Sequence, residues 1–115
     1  MRRSIRFFRN YFIDFYFNLS GKEQEKVDYV LDLVRNLQII PKKFLKHIEG
    51  TDGLFELRIS YSISEYRIFC FFDSGTMVIL LNVFKKKTQK TPRSEIERAL
   101  KLKDEYFFEK ERSKK

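Results

Sequence analysis

Cysteine occurs once in the 115-residue chain, as Cys70, so neither an intrachain disulfide nor a cysteine metal cluster holds it together. Histidine also occurs once. His47 lies in a connector that gives it no geometric support, and it stays outside the candidate catalytic set. No apolar run approaches the length needed to cross a bilayer. The stretch from Met1 to Arg9 opens like the basic region of a signal peptide, but Arg9 and Asp14 interrupt any apolar segment behind it, so a cytoplasmic location is expected. Paired carboxylates, zinc-ligand spacings, glycine-rich phosphate loops and serine nucleophile elbows are missing too. Neither a metal nor a cofactor is therefore expected.

What is present is apolar, aromatic and basic. Hydrophobic residues make up 43% and aromatic residues 17% of the chain, enough for a packed interior in one domain spanning residues 1–115. The formal net charge of +8 points to a polyanionic partner such as nucleic acid, an acidic protein or a membrane surface.

Three strand-like runs between Leu54 and Phe84 are joined by tight turns. Phe55, Leu57 and Ile59 alternate with Glu56 and Arg58; Tyr66, Ile68, Cys70 and Phe72 alternate with Arg67, Phe69 and Phe71. Met77, Ile79, Leu81 and Val83 alternate with Val78, Leu80, Asn82 and Phe84. The turn residues Asp73-Ser74-Gly75-Thr76 and the short Ser60–Glu65 link suggest antiparallel hairpins. A centred register sets Ser60 opposite Glu65, Arg58 opposite Arg67, and Arg67 opposite Asn82. Cys70 falls on an apolar face, as a buried inert thiol would.

Around this meander, residues 4–9 read as a short strand and Asn10 to Leu19 as a short helix. Ser20-Gly21-Lys22-Glu23 fits a capping box. It opens a helix with Val27, Val30, Leu31, Val34 and Leu37 on one stripe, ending near Gln38 ahead of Pro41. Pro41 to Gly53 reads as a connector carrying Lys42, Lys43, Lys46 and His47. Thr91 as N-cap and Pro92 at the first helical position start the last helix, and residues 109–115 read as a frayed charged tail. The expected class is α+β, ordered β-α-α-β-β-β-α, with the helices on the apolar sheet face. A face with Phe69, Phe71, Val78 and Leu80 is left bare for a partner.

Two guanidinium groups directly across a strand pair repel. Arg58 opposite Arg67 makes sense if an anion sits between them; pairing with Glu56 and Glu65, or simple solvation, accounts for the row equally well. Lys85, Lys86, Lys87, Lys90 and Arg93 follow within residues 84–93 without an intervening acid. A lysine among like charges has a lowered pKa and is both a phosphate ligand and a better proton acceptor. Such a group of cations suits attack of an RNA 2′-hydroxyl on the neighbouring phosphodiester, where charge collects on phosphoryl oxygens.

Three stretches carry a resemblance: Leu54-Phe55-Glu56-Leu57-Arg58, Tyr66-Arg67-Ile68-Phe69, and Phe84 followed by Lys86-Lys87-Thr88-Gln89-Lys90-Thr91-Pro92. With the helix containing Glu95, Ile96 and Ala99, they resemble RelE/HigB-type toxins of type II toxin–antitoxin modules, in the phage-derived-protein-like branch. The resemblance implies a RelE/ParE-like fold and a metal-independent, ribosome-dependent endoribonuclease that cleaves messenger RNA and arrests growth. It further implies a cognate antitoxin, often of helix-turn-helix type, in a hetero-oligomer away from membranes. By position, Arg67 matches the arginine on the scissile phosphate and Arg58 a basic position on the preceding strand. Lys86, Lys87 and Lys90 match the basic loop. The candidate catalytic set is therefore Arg58, Arg67 and Lys86, with Lys46, Asn82, Phe84, Lys85, Lys87, Lys90 and Arg93 on substrate; Arg67→Ala is expected to stop growth arrest in a folded protein. Asn82-Val83 stands where members commonly carry histidine-glycine, and no tyrosine follows the lysines. Two alternatives share the fold: a ParE-like gyrase inhibitor without nuclease activity, and a non-catalytic RNA- or antitoxin-binding module.

Overall fold

The computed structural model describes residues 2–87 and 90–114; Met1, Thr88 and Gln89 of the lysine-rich motif, and Lys115 of the tail lie outside the described residues. The elements are β1 (Ser4–Phe7), α1 (Tyr11–Phe17), α2 (Gly21–Asn36), β2 (Leu45–His47), β3 (Phe55–Tyr61), β4 (Ser64–Asp73), β5 (Met77–Lys85) and α3 (Arg93–Ser113). They form a five-stranded sheet in the order β1-β5-β4-β3-β2. β1 runs parallel to β5 and the remaining pairs are antiparallel. Among the described residues no helix is long and apolar enough to cross a membrane.

Local chemistry explains the helix boundaries. Ser20 accepts from the Glu23 amide while the Glu23 carboxylate accepts from the Ser20 amide, so the capping box opens α2 as its sequence requires. At the other end the Arg3 guanidinium donates to the carbonyls of Val34, Leu37 and Gln38, satisfying acceptors that the last turn leaves open. Pro92, rather than Thr91, is the N-cap of α3, and the Thr91 hydroxyl is engaged elsewhere. α3 continues past residue 109. It stays helical to Ser113 because Arg9 pairs with Glu105 and Glu109 while Lys110 reaches the buried Asp73 at 2.8 Å.

The sheet differs from expectation in three ways. A short strand, β2, lies inside the connector and pairs Leu45 with Leu57 and Lys46 with Glu56; its three residues, Leu45-Lys46-His47, are too few to show alternation. The β3–β4 register is the expected one, with Arg58 opposite Arg67. The β4–β5 register is not. Its turn closes on Asp73 and Met77, one residue later than the centred hairpin, and Phe69 alone opposes both Leu81 and Asn82. This β-bulge adds a second shift, so Arg67 faces Phe84 instead of Asn82.

The bulge also exchanges the faces of β5. Val78, Leu80 and then Val83 join Leu57, Ile68 and Cys70 under α1 and α2, where Phe12, Val27, Val30, Leu31 and Val34 complete one core. Ile79, Leu81 and then Phe84 join Phe69 and Phe71 under Ala99 and Leu102 of α3 in a second core. The expected bare face is thus covered. The sheet is the middle of three layers, and one end of the α3 face lies beside β2 and the start of the helix.

Candidate functional site

At that end lies a cleft of about 490 Å³. β2 supplies Lys46, β3 supplies Glu56 and Arg58, the segment after β5 supplies Lys86, Lys90 and Thr91, and the first turn of α3 supplies Ile96, with Ile48 and Glu49 beyond β2. Strand alternation explains the convergence. Lys46 opposes Glu56, which shares its face with Arg58, and Arg58 opposes Arg67.

The floor is an ion-pair network around Glu56, which is only 1% exposed. Its Oε2 accepts from Arg58 Nε at 2.9 Å and lies 3.5 Å from Arg67 Nε; its Oε1 accepts from the Thr91 hydroxyl at 3.0 Å. Arg67 also donates through Nη1 to Glu65 Oε1 at 3.2 Å and to the Tyr66 carbonyl at 3.1 Å. The cross-strand repulsion is therefore relieved within the protein by two carboxylates, and the pairing that the sequence left open is present. Two arginines stand against Glu56 and Glu65 in the floor, and Lys46 and Lys86 stand against Glu49 on the lining.

The candidate residues divide by location. Arg58 and Lys86 line the cleft, whereas Arg67, 5% exposed, sits beneath it and is not part of its surface. Lys46 and Lys90 line it as well. Lys87 is exposed without lining it, and Arg93, also exposed, pairs with Glu97 at 3.7 Å along the helix. Lys85 is on the opposite face: it follows Val83 in the alternation, opposes Tyr66, and its charge acts on Glu23 of α2. Asn82 and Phe84 belong to the scaffold under α3. The bulge turns Asn82 toward the helix, where Nδ2 donates to the Glu95 carbonyl at 3.2 Å and to its carboxylate at 3.1 Å, and Phe84 stacks on Phe69.

The Lys86 ammonium is held below its ordinary pKa, first by burial and then by the positive field of Arg67 and Arg58, which Glu56 and Glu65 only partly oppose. The direction agrees with the sequence reading, but the cause is the arginine pair and burial, not the neighbouring lysines. The Glu65 carboxyl is held below its usual range, first by the Ser60 hydroxyl and then by Arg67. His47 borders the cleft, but its Nε2 donates to the Thr51 carbonyl at 3.0 Å and its ring meets Phe55 edge-on. Among the described residues no group of His, Cys, Asp and Glu converges to hold a metal ion.

Glu56 and Thr91 belong to the site although neither is among the sequence candidates: the sequence offers Glu56 only as a carboxylate that could pair with the arginines, and Thr91 as a cap within the lysine-rich motif.

Residues 14–104 match the model of the phage-derived protein Gp49-like family. This chain belongs to that family, a family of RelE-like toxins. The matched span runs from α1 into α3, so every cleft residue of this Gp49-like chain lies inside it. Among solved structures, the archaeal RelE–RelB complex from Pyrococcus horikoshii OT3 is similar, with a TM-score of 0.54 over 72% of this chain and 93% of that one. At 15% identity the likeness is one of fold, and it agrees with the RelE/ParE-like α+β arrangement. No curated protein sequence matches this Gp49-like chain.

Proposed function

We propose that this protein is the toxin of a type II toxin–antitoxin module, acting as a metal-independent endoribonuclease on ribosome-bound messenger RNA in the cytoplasm. The observation that carries the reading is the juxtaposition of Arg58 with Lys86, an amine of lowered pKa, in one cationic cleft. In its neutral form Lys86 accepts the proton of an RNA 2′-hydroxyl, and the 2′-oxygen attacks the adjacent phosphorus. The bond to the 5′-oxygen breaks, that oxygen takes a proton from solvent, and a 2′,3′-cyclic phosphate remains. Arg58 binds the phosphoryl oxygens as their charge rises, with Arg67 adding its field from beneath. Lys46, Lys87, Lys90 and Arg93 hold flanking phosphates. Asn82 and Phe84 serve the cleft from behind by seating α3. A cognate antitoxin, of helix-turn-helix type, covers the cationic cleft in a hetero-oligomer.

The test is messenger cleavage in a translating extract containing a chelator, with the ends mapped, the 5′ product assayed for a terminal 2′,3′-cyclic phosphate and the 3′ product for a 5′-hydroxyl. Wild type is expected to cut and Arg58→Ala to lose at least about a hundredfold in rate, the scale of a lost transition-state donor. Intact messenger with inhibited DNA supercoiling would replace this reading with gyrase inhibition.

A further inference from the structure

Glu56 is an unusual residue to find in an anion-binding cleft. A buried carboxylate carries a desolvation penalty, and it also repels a phosphate. Its geometry gives a reason for its presence. Oε2 accepts from Nε of Arg58, the side-on nitrogen, and not from the terminal pair. Among the described residues no partner takes Arg58 Nη1 or Nη2, and the residue lines the cleft. Held by its elbow, the planar fork keeps both terminal nitrogens for a bidentate phosphate.

The carboxylate is itself fixed. The Thr91 hydroxyl donates to Oε1, and Arg67 Nε approaches Oε2 from the neighbouring strand at 3.5 Å. Thr91 lies at the foot of α3, so the foot of the helix, β3 and β4 all meet at this one group. A carboxylate with both oxygens engaged in this way is poorly placed to remove a substrate proton. We infer that Glu56 is a positioning residue, anchored by Thr91, that aims the Arg58 guanidinium at the substrate phosphate. The inference rests on the nuclease reading for the identity of that phosphate, but the aiming itself is a property of the folded protein.

Two readouts separate the two claims. In ¹⁵N NMR of the full chain, the Arg58 Nε–H signal should be exchange-protected in wild type, kept in Glu56→Gln, and lost to solvent exchange in Glu56→Ala. Glutamine can accept from Arg58 Nε through its carbonyl oxygen and donate its amide to the Thr91 oxygen. In single-turnover cleavage of ribosome-bound messenger, Glu56→Ala should lower the saturated rate about ten- to a hundredfold with half-saturation unchanged or tighter, since a negative charge has gone. Glu56→Gln should stay within about threefold of wild type, and Thr91→Val should fall between them.

A folded Glu56→Ala protein with the wild-type saturated rate, or with Arg58 Nε–H still protected, overturns the inference. So does a folded Glu56→Gln protein as slow as Glu56→Ala, which would make charge and not geometry the active property. Should Glu56→Ala fail to fold, a folded Glu56→Gln protein more than about tenfold slower than wild type, or a Thr91→Val protein with the wild-type saturated rate, overturns the inference instead. If wild type cleaves nothing while the NMR pattern is as stated, the aiming of Arg58 stands and the nuclease reading falls.

Discussion

Replacing Arg67 with alanine should unsettle the fold and not only the chemistry, contrary to what its sequence position suggests. The substitution removes two methylenes from a side chain that is 6% exposed, a loss of about 1.5 kcal/mol at roughly 0.8 kcal/mol per buried methylene. Breaking an isolated buried pair costs about 3–5 kcal/mol, but that figure must be discounted here. Glu56 keeps Arg58 and Thr91, and the Glu65 side chain, 42% exposed, is taken over by water. Relief of the repulsion between the two arginines returns part of the rest. About 1–2 kcal/mol of electrostatic loss remains, for a total near 3 kcal/mol, or roughly a hundredfold in the folding equilibrium. Arg58→Ala removes a side chain that is 29% exposed and should cost only about 1–2 kcal/mol. Urea unfolding followed by far-ultraviolet circular dichroism, suited to a chain without tryptophan, measures both. An Arg67→Ala loss below about 1 kcal/mol, or no larger than that of Arg58→Ala, would refute the claim that Arg67 is a structural member of the site. If the expected order holds, lost growth arrest in Arg67→Ala reports folding as well as chemistry, and Arg58→Ala is the cleaner variant.

The far end of the sheet should respond to acid. The Asp73 carboxyl is held below its usual range, first by Lys110 and then by the Tyr106 hydroxyl, so it binds protons more weakly folded than unfolded. Its contribution is full above the ordinary carboxylate range near pH ~4 and is lost as pH falls through the folded value. Asp73→Asn should therefore be about 1–2 kcal/mol less stable at pH 7 in urea unfolding, with a smaller further loss toward pH ~3 than wild type; equal acid losses in the two proteins would argue against this origin. Cys70, fully buried with its thiol pushed well above its ordinary pKa by that burial, should resist iodoacetamide until the chain unfolds. Its modification should follow the urea transition, and rapid labelling of native protein would contradict the packing of the first core.

The β3–β4 hairpin was legible because its link is short and each strand alternates, so one register satisfies both patterns. The opposition of Arg58 and Arg67 followed directly. The β4–β5 pairing was not legible, for a physical reason. Apart from Asn82, Met77 to Phe84 is apolar on both faces because the strand is buried on both, and such a strand gives alternation little to hold. A bulge inside it leaves no mark in composition. The same double burial hid the third layer: Phe69 and Phe71 read as an open face only as long as α3 was counted with the other helices.

The bulge bears on the site as well as on the fold. By placing both Leu81 and Asn82 on the α3 side, it seats the helix through Asn82 and Glu95, and it swaps which of the following residues face the cleft side of the sheet. Lys85 is thereby sent toward Glu23 while Lys86, just past the strand end, comes under the field of Arg67 and Arg58. In sequence the two lysines are adjacent and chemically identical. Only the parity of the strand behind them separates a lysine beside Glu23 of α2 from a lysine of lowered pKa in the cleft, so a basic run read as one patch merges groups that the sheet holds on opposite sides.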